Sequence, residues 1–412
     1  MINRRDFIRA GCAAGAISLA PNFLDEAQAG LHLHGIGSAY EGLVASRARM
    51  MTTNDTTNKQ LMGRYGLIST EALTSIRFVF SNFTLNSGAD AGNGSASTIT
   101  ASIEYPAGIF TQLLFGGSTS GTMTSGGIIF SDYISIVIPA NTTFWSRQFI
   151  TNSSGLVYCN WQNSFFGEAT NGAVSGLSDQ TMGGTITNSL SSACSPPLAV
   201  LGTTVNPSVI IVGDSIGRGD GGNGEDTSNT VTGHNGKSGL ITPSLGSIPF
   251  LNLSWPSVTA QNWVTNAPSR KQLISQGSHL ISELGVNDLS NSRTSAQIIT
   301  DLQAIWAFAL GGQKIYQTTI TPHSSSTDAW ATIGNQTALN QATRATLNQA
   351  IRAVIFGAKG FYNTASILET AQDSDIWIAS PAPPYTTDGL HPDAAGYSLV
   401  QSSGIISPVT WP

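Results

Sequence analysis

VIIVGDSIGRGDGGNGED, residues 209–226, decides how the second half of this sequence is read. Its first four residues are an apolar, β-branched run of the kind that a strand buried on both faces requires. The glycine-rich remainder admits three readings. GDSIG (213–217) fits G-x-S-x-G, the sharp strand-to-helix turn that exposes a nucleophilic serine. GRGDGG (217–222) fits G-x-G-x-x-G, the dinucleotide fingerprint, and RGD (218–220) is a tripeptide read by some cell-surface receptors. A dinucleotide loop must open directly into a helix whose N-terminus holds the pyrophosphate. Here Gly222 is followed by NGEDTSNTVTGHNGKSG, which has no apolar period and sets acids where phosphates would lie. The cofactor reading fails, and RGD is a tripeptide of common loop residues.

The serine reading makes demands elsewhere. A hydroxyl nucleophile needs a base, and the base needs a partner that holds its tautomer. Six histidines are available. His32 and His34 lie in LHLHG near the N-terminus with no further metal ligands nearby, and His234 lies in a glycine-rich loop. His279 opens a strand, and His323 follows a strand end where it can line a cleft. His391 stands in TTDGLHPDAAGY, with Asp388 three residues ahead on the same turn. Pro392 stiffens that turn, and Asp393 can cap a helix behind it. One turn therefore supplies both a base and its orienting carboxylate. An oxyanion also needs donors. GVND (285–288) follows a buried strand, so Asn287 projects its amide from the C-terminal edge of the sheet. Ser215 leaves the first parallel strand at the same edge, where open α/β sheets bind ligands.

Three blocks in this order resemble the SGNH hydrolase family, also called GDSL esterases and lipases, over about residues 207–412. GDS matches the family's nucleophile block, with Gly213 and Asp214 supporting Ser215 as nucleophile. GVND matches G-x-N-D and implies Asn287 as a side-chain oxyanion donor, with Gly285 and Asp288 in support. DGLHP matches D-x-x-H-P and implies Asp388 and His391 as the other triad members. The remaining block often reads N-x-x-x-x-G-x-T, whereas this chain has NLSWPSVT (252–259). Ser257 thus takes the glycine position, and its backbone N–H joins those of Ser215 and the Asn287 amide as oxyanion donor. The resemblance implies an α/β fold, a flavodoxin-like parallel sheet flanked by helices, and a serine esterase that needs no metal and no organic cofactor. An α/β-hydrolase fits less well. Its elbow follows several strand–helix units and its acid is remote from the histidine, unlike the first-strand serine and single turn here.

The first half has a different period. Ile76, Phe78 and Phe80 alternate, as do Ile99, Ala101, Ile103 and Tyr105, and again Ile134, Ile136 and Ile138. Turn clusters such as NSGADAGNGS separate these runs, which read as an all-β, jelly-roll-like sandwich. SSACSPPLAVLGTTVNPS (191–208) marks the boundary. Beyond it, strands alternate with helical stretches such as SAQIITDLQAIWAFAL and QTALNQATRATLNQAIRAVIFG, which implies a parallel sheet with helices on both faces. The expected organisation is an export signal over 1–29, a β-sandwich accessory domain over 30–200 and a catalytic domain over 205–412.

The export signal rests on NRRDFIR, a short apolar stretch and AQA before Gly30, the pattern of a twin-arginine leader and of a periplasmic or secreted protein. That stretch is too short to span a bilayer. Cys159 and Cys194 remain in the mature chain, either bridged or as two buried thiols. Of 412 residues only 10 % are charged, 24 acidic against 18 basic for a net of -6, with no basic run, which argues against a nucleic-acid partner. The small-polar composition and export point to short acyl groups, O-acetyl above all, on polysaccharide. The same site would serve a lipase, a thioesterase or an O-acyltransferase. A glycan-binding or attachment protein with a vestigial hydrolase fold is the reading from another class.

Overall fold

The computed structural model describes residues 38–159, 166–191, 193–221, 238–379 and 384–407. The expected export signal, His32, His34, His234 and residues 222–237 lie outside them. In the second half, β1 (Val209–Val212), β2 (Phe250–Asn252), β3 (His279–Ser282), β4 (Lys314–Thr318) and β5 (Gly360–Tyr362) form one sheet in the order β2-β1-β3-β4-β5. Each neighbouring pair is parallel. Val209, Ile210, Ile211 and Val212 are all fully buried, as a central strand covered on both faces demands. The chain reverses its direction of travel across the sheet between β1 and β3, which places a crevice at their carboxyl ends.

The helices are α1 (Ser215–Arg218), α2 (Ala260–Asn266), α3 (Pro268–Leu273), α4 (Val286–Ser290), α5 (Ser295–Trp306), α6 (Gln341–Arg352), α7 (Ala365–Leu368) and α8 (Ala394–Ser403). Capping boxes start two of them, Thr259 with Asn262 for α2 and Thr294 with Gln297 for α5. Asp393 starts α8 by accepting from the N–H groups of Ala395 and Gly396. The helical stretch expected over 336–357 begins only at Gln341. Gln336–Ala338 pairs instead with Ser324–Ser326 in a hairpin that follows β4.

The first half contains two antiparallel sheets. One joins Tyr40–Leu43, Ala199–Thr204, Leu73–Ser81, Ile128–Phe130 and Ile134–Ile138. The other is built on Ser97–Glu104, Thr143–Thr151 and Gln60–Ser69. Ile76, Phe78 and Phe80 pack with Ile99, Ala101 and Ile103 in a core between these sheets, following the alternation in the sequence. Towards its end the opposite face of the same strand is buried too, at Val79 and Ser81. Val79 lies in the core of the parallel half together with Leu43, Ala199, Leu201 and Ile210. Each of the buried valine, leucine and isoleucine side chains contributes about 1.5–3 kcal/mol relative to exposure.

Polar contacts reinforce this seam. The hairpin of Thr84–Asn86 and Ala89–Ala91 carries Asp90, whose Oδ1 meets Arg270 Nε at 2.6 Å with both side chains fully buried. Asp90 Oδ2 also accepts from the backbone N–H groups of Ser269 and Arg270, at the start of α3. Residues Leu33–Pro412 form one compact unit. The proline-rich stretch 191–208 is accordingly no spacer, because it contains the central strand Ala199–Thr204. Cys159 and Cys194, left open by the sequence, form a disulfide with S–S 2.16 Å.

Candidate active site

Ser215 is the first residue of α1, immediately after β1 and the turn at Gly213 and Asp214. The early N–H groups of a helix lack intrahelical acceptors, and this turn fills two of the vacancies with carboxyl groups. Asp214 Oδ1 accepts from Ile216 N at 2.9 Å, and Glu283 Oε2 accepts from Gly217 N at 3.1 Å. Among the described residues the N–H of Ser215 itself has no such acceptor. The glycines of G-D-S-I-G have a steric cause. A Cβ at Gly213 would stand 2.6 Å from Ser254 Oγ and 2.8 Å from Glu283 Oε2, and one at Gly217 would be equally crowded.

The turn that carries His391 meets this serine. His391 Nε2 lies 2.8 Å from Ser215 Oγ, and His391 Nδ1 lies 2.6 Å from Asp388 Oδ2. A carboxylate at Nδ1 calls for the proton on that nitrogen, which leaves Nε2 to accept from the serine hydroxyl. Asp388 Oδ1 is in turn held by the backbone N–H groups of Leu390 and His391, each at 2.8 Å. Ser324 N and Trp377 Nε1 both donate to the carbonyl of Gly389, which ties the turn to the hairpin after β4 and to the core. Burial pushes the Asp388 carboxyl up, but the hydrogen bonds from His391 and Leu390 outweigh it and hold the group well below the usual carboxylate range. The hydrogen bond to Asp388 raises the His391 imidazole above its ordinary value, against the opposing effect of burial.

The loops after β2 and β3 stand beside the serine turn. Trp255 N donates to Gly213 O at 3.2 Å, which fastens residues 254–259 to it. Within that segment Ser257 has φ +61°, the left-handed region that favours glycine. Asn287, second residue of α4, donates from Nδ2 to Val258 O at 3.1 Å. Gly285 caps α4 at φ +145°, and a Cβ there would meet Ile320 Cδ1 at 2.6 Å. Asp288 Oδ2 accepts from Ala260 N at 2.8 Å, so the buried aspartate clamps α4 to the start of α2. Burial raises its carboxyl to about 6, against the N–H groups of Ala260 and Gln261.

The other described histidines stand outside this chain of hydrogen bonds. His323 follows β4, and its Nδ1 lies 3.0 Å from Asn340 Nδ2. His279 is buried, its Nδ1 2.7 Å from Ser278 Oγ, and burial lowers it to about 4. Sequence reasoning missed Glu283, although a glutamate ending the apolar run HLIS was a visible anomaly. Among the described residues, no group of three or more His, Cys, Asp and Glu is placed to hold a metal ion, and no helix is long and apolar enough to cross a membrane.

No family model matches the sequence, and no curated protein matches it. Solved structures do. The chain is similar to a member of the lipolytic protein G-D-S-L family from Veillonella parvula, at 14 % identity and TM-score 0.33, over 50 % of this chain and 99 % of that one. A carbohydrate esterase family 3 structure from Talaromyces cellulolyticus aligns at 15 % identity and TM-score 0.30, over 50 % of this chain and 96 % of its own. A Bacillus subtilis protein aligns over 85 % of this chain and 77 % of its own, at 12 % identity and TM-score 0.33. At TM-scores this low, the functional reading rests on the geometry of the chain itself.

Proposed function

We propose that this chain is an exported serine ester hydrolase, its second half of the SGNH type, acting on short acyl esters, O-acetyl groups on polysaccharide in particular. One observation carries the reading: the unbroken chain from Ser215 Oγ through His391 Nε2 and Nδ1 to Asp388 Oδ2, with links of 2.8 and 2.6 Å. These atoms come from two segments 176 residues apart, at the carboxyl edge of a parallel sheet.

In the proposed mechanism Ser215 Oγ attacks the ester carbonyl while His391 Nε2 takes its proton. The imidazolium so formed is stabilised by Asp388 and then protonates the leaving alcohol. The oxyanion is held by the N–H of Ser215, the amide of Asn287 and the backbone N–H of Ser257. Water, activated by His391, releases the acid from the acyl-serine. Residues 205–412 carry this chemistry. Residues 30–200, read as a jelly-roll-like sandwich, cover one flank of it, and residues 1–29 act as a twin-arginine leader.

The test is acetate release from acetylated xylan, pectin and chitin oligomers, run beside nitrophenyl esters of increasing chain length. Hydrolysis that is fastest for acetyl esters, and lower by about 10⁶ in turnover for Ser215→Ala, is expected. Activity of Ser215→Ala within tenfold of the parent would sink the esterase reading. A rate that climbs with acyl length would sink the short-acyl part.

A further inference from the structure

Beneath the serine turn lies a second pair of acids that the mechanism above does not use. Asp214 and Glu283 are both buried, and no cation is paired with either among the described residues. Glu283 follows β3 directly, and its Oε2 accepts from Asp214 N and Gly217 N, each at 3.1 Å. These two N–H groups bracket Ser215. Asp214 Oδ1 accepts from the N–H of Ile216, the residue after Ser215. All three backbone donors are thereby assigned, and among the described residues Asp214 Oδ2 is left fully buried without an N–H or hydroxyl partner.

An ionised carboxylate only accepts, so two ionised acids in contact would leave that oxygen orphaned and two charges uncompensated. A protonated carboxyl has one O–H to give. Resting on the esterase reading, we propose that Glu283 is a positioning residue for Ser215: it is held protonated, donates to Asp214 Oδ2, and with Asp214 grips the N–H groups on both sides of the nucleophile.

Burial raises both acids, Asp214 to about 7, and the charge of Asp214 lifts Glu283 further. The titratable groups facing the pair are His391, Asp288 of α4 and Tyr397 of α8. Tyr397 Oη donates to Asp220 O, so it does not supply the missing donor.

Glutamine is isosteric with the protonated acid, since its oxygen can accept from both backbone groups while its NH₂ donates to Asp214. Glu283→Gln in the full chain should therefore keep kcat on an aryl acetate within about fivefold of the parent. Glu283→Leu, which strands both donors, should lose about 10² in kcat with KM little changed, the scale of a misplaced reacting group. Near-UV circular dichroism identifies a leucine variant that has not folded. A readout independent of turnover is the infrared carbonyl stretch of a protonated carboxylic acid at pH 7.5. It should be present in the parent and lost in Glu283→Gln, where Asp214 remains as carboxylate. Glutamine as damaging as leucine, or a parent without the protonated band, would overturn the proposal. A parent that hydrolyses no ester but shows the band would sink the esterase reading and keep the shared proton.

Discussion

Asn287 Nδ2 donates to the carbonyl of Val258 at 3.1 Å, so the loop after β3 holds the loop after β2 through the amide proposed as an oxyanion donor. One N–H of that amide is thus spent on position, and the other is the one the proposed mechanism assigns to the oxyanion. Asn287→Ala should lower turnover by roughly 10²–10³ with little change in KM, as expected for a donor that acts mainly in the transition state. Steady-state kinetics on an aryl acetate decide the matter. A sharp rise in KM at constant turnover would make Asn287 a ground-state contact instead.

His391 sits above its ordinary value because Asp388 stabilises the imidazolium. It must be neutral to accept the serine proton, so kcat/KM should fall on the acid side, starting from a higher pH than for an unpartnered imidazole near 6.5. Asp388→Asn removes the main cause of that shift and leaves burial, which pulls the other way, opposed only by the weaker effects of the Asp214 and Asp220 charges. The acid limb should move to lower pH, and turnover should drop by about 10⁴ as the amide favours the wrong tautomer. An acid limb that stays in place would detach Asp388 from the base.

Ser257 adopts φ +61°, where a side chain is strained by roughly 1–2 kcal/mol. Ser257→Gly keeps the backbone N–H and removes the strain. Urea unfolding should show a small gain, up to about 1 kcal/mol, with activity kept or raised. A severe loss of turnover at unchanged stability would assign the hydroxyl a contact with substrate.

Asp90 and Arg270 form a fully buried ion pair across the seam between the halves. Asp90→Ala leaves the guanidinium without its partner and should cost about 3–5 kcal/mol in unfolding experiments. For the same reason a fragment starting near Thr203 should fail to fold, since it exposes the face now covered by Val79, Ala199 and Leu201. A folded fragment with parental rates on an aryl ester, checked by circular dichroism and kinetics, would show the second half to be self-sufficient.

What could be read beforehand was local. VIIV announces a strand covered on both faces, and Asp388 and His391 fall on one turn because three residues separate them. Glu283 escaped because its partners Asp214 and Gly217 lie 69 and 66 residues away. The Arg270–Asp90 pair spans 180 residues and leaves no pattern at all. Ser257 was located by its block, but its backbone conformation depends on how residues 254–259 are fastened to the serine turn. The alternation of Ile76, Phe78 and Phe80 told of one covered face, while Val79, between them, covers another.

The strand Leu73–Ser81 therefore answers to two neighbours at once. Phe78 and Phe80 face one core and Val79 between them faces the other, so a saturation library should show no alternation of tolerated and forbidden sites over residues 78–80, whereas exposed Thr74 should tolerate change. Drift in either half is then constrained by the other. The two would be inherited, recombined and engineered as a single unit, with any exchange of the first half for an unrelated module requiring a new surface on the side of the parallel sheet as well.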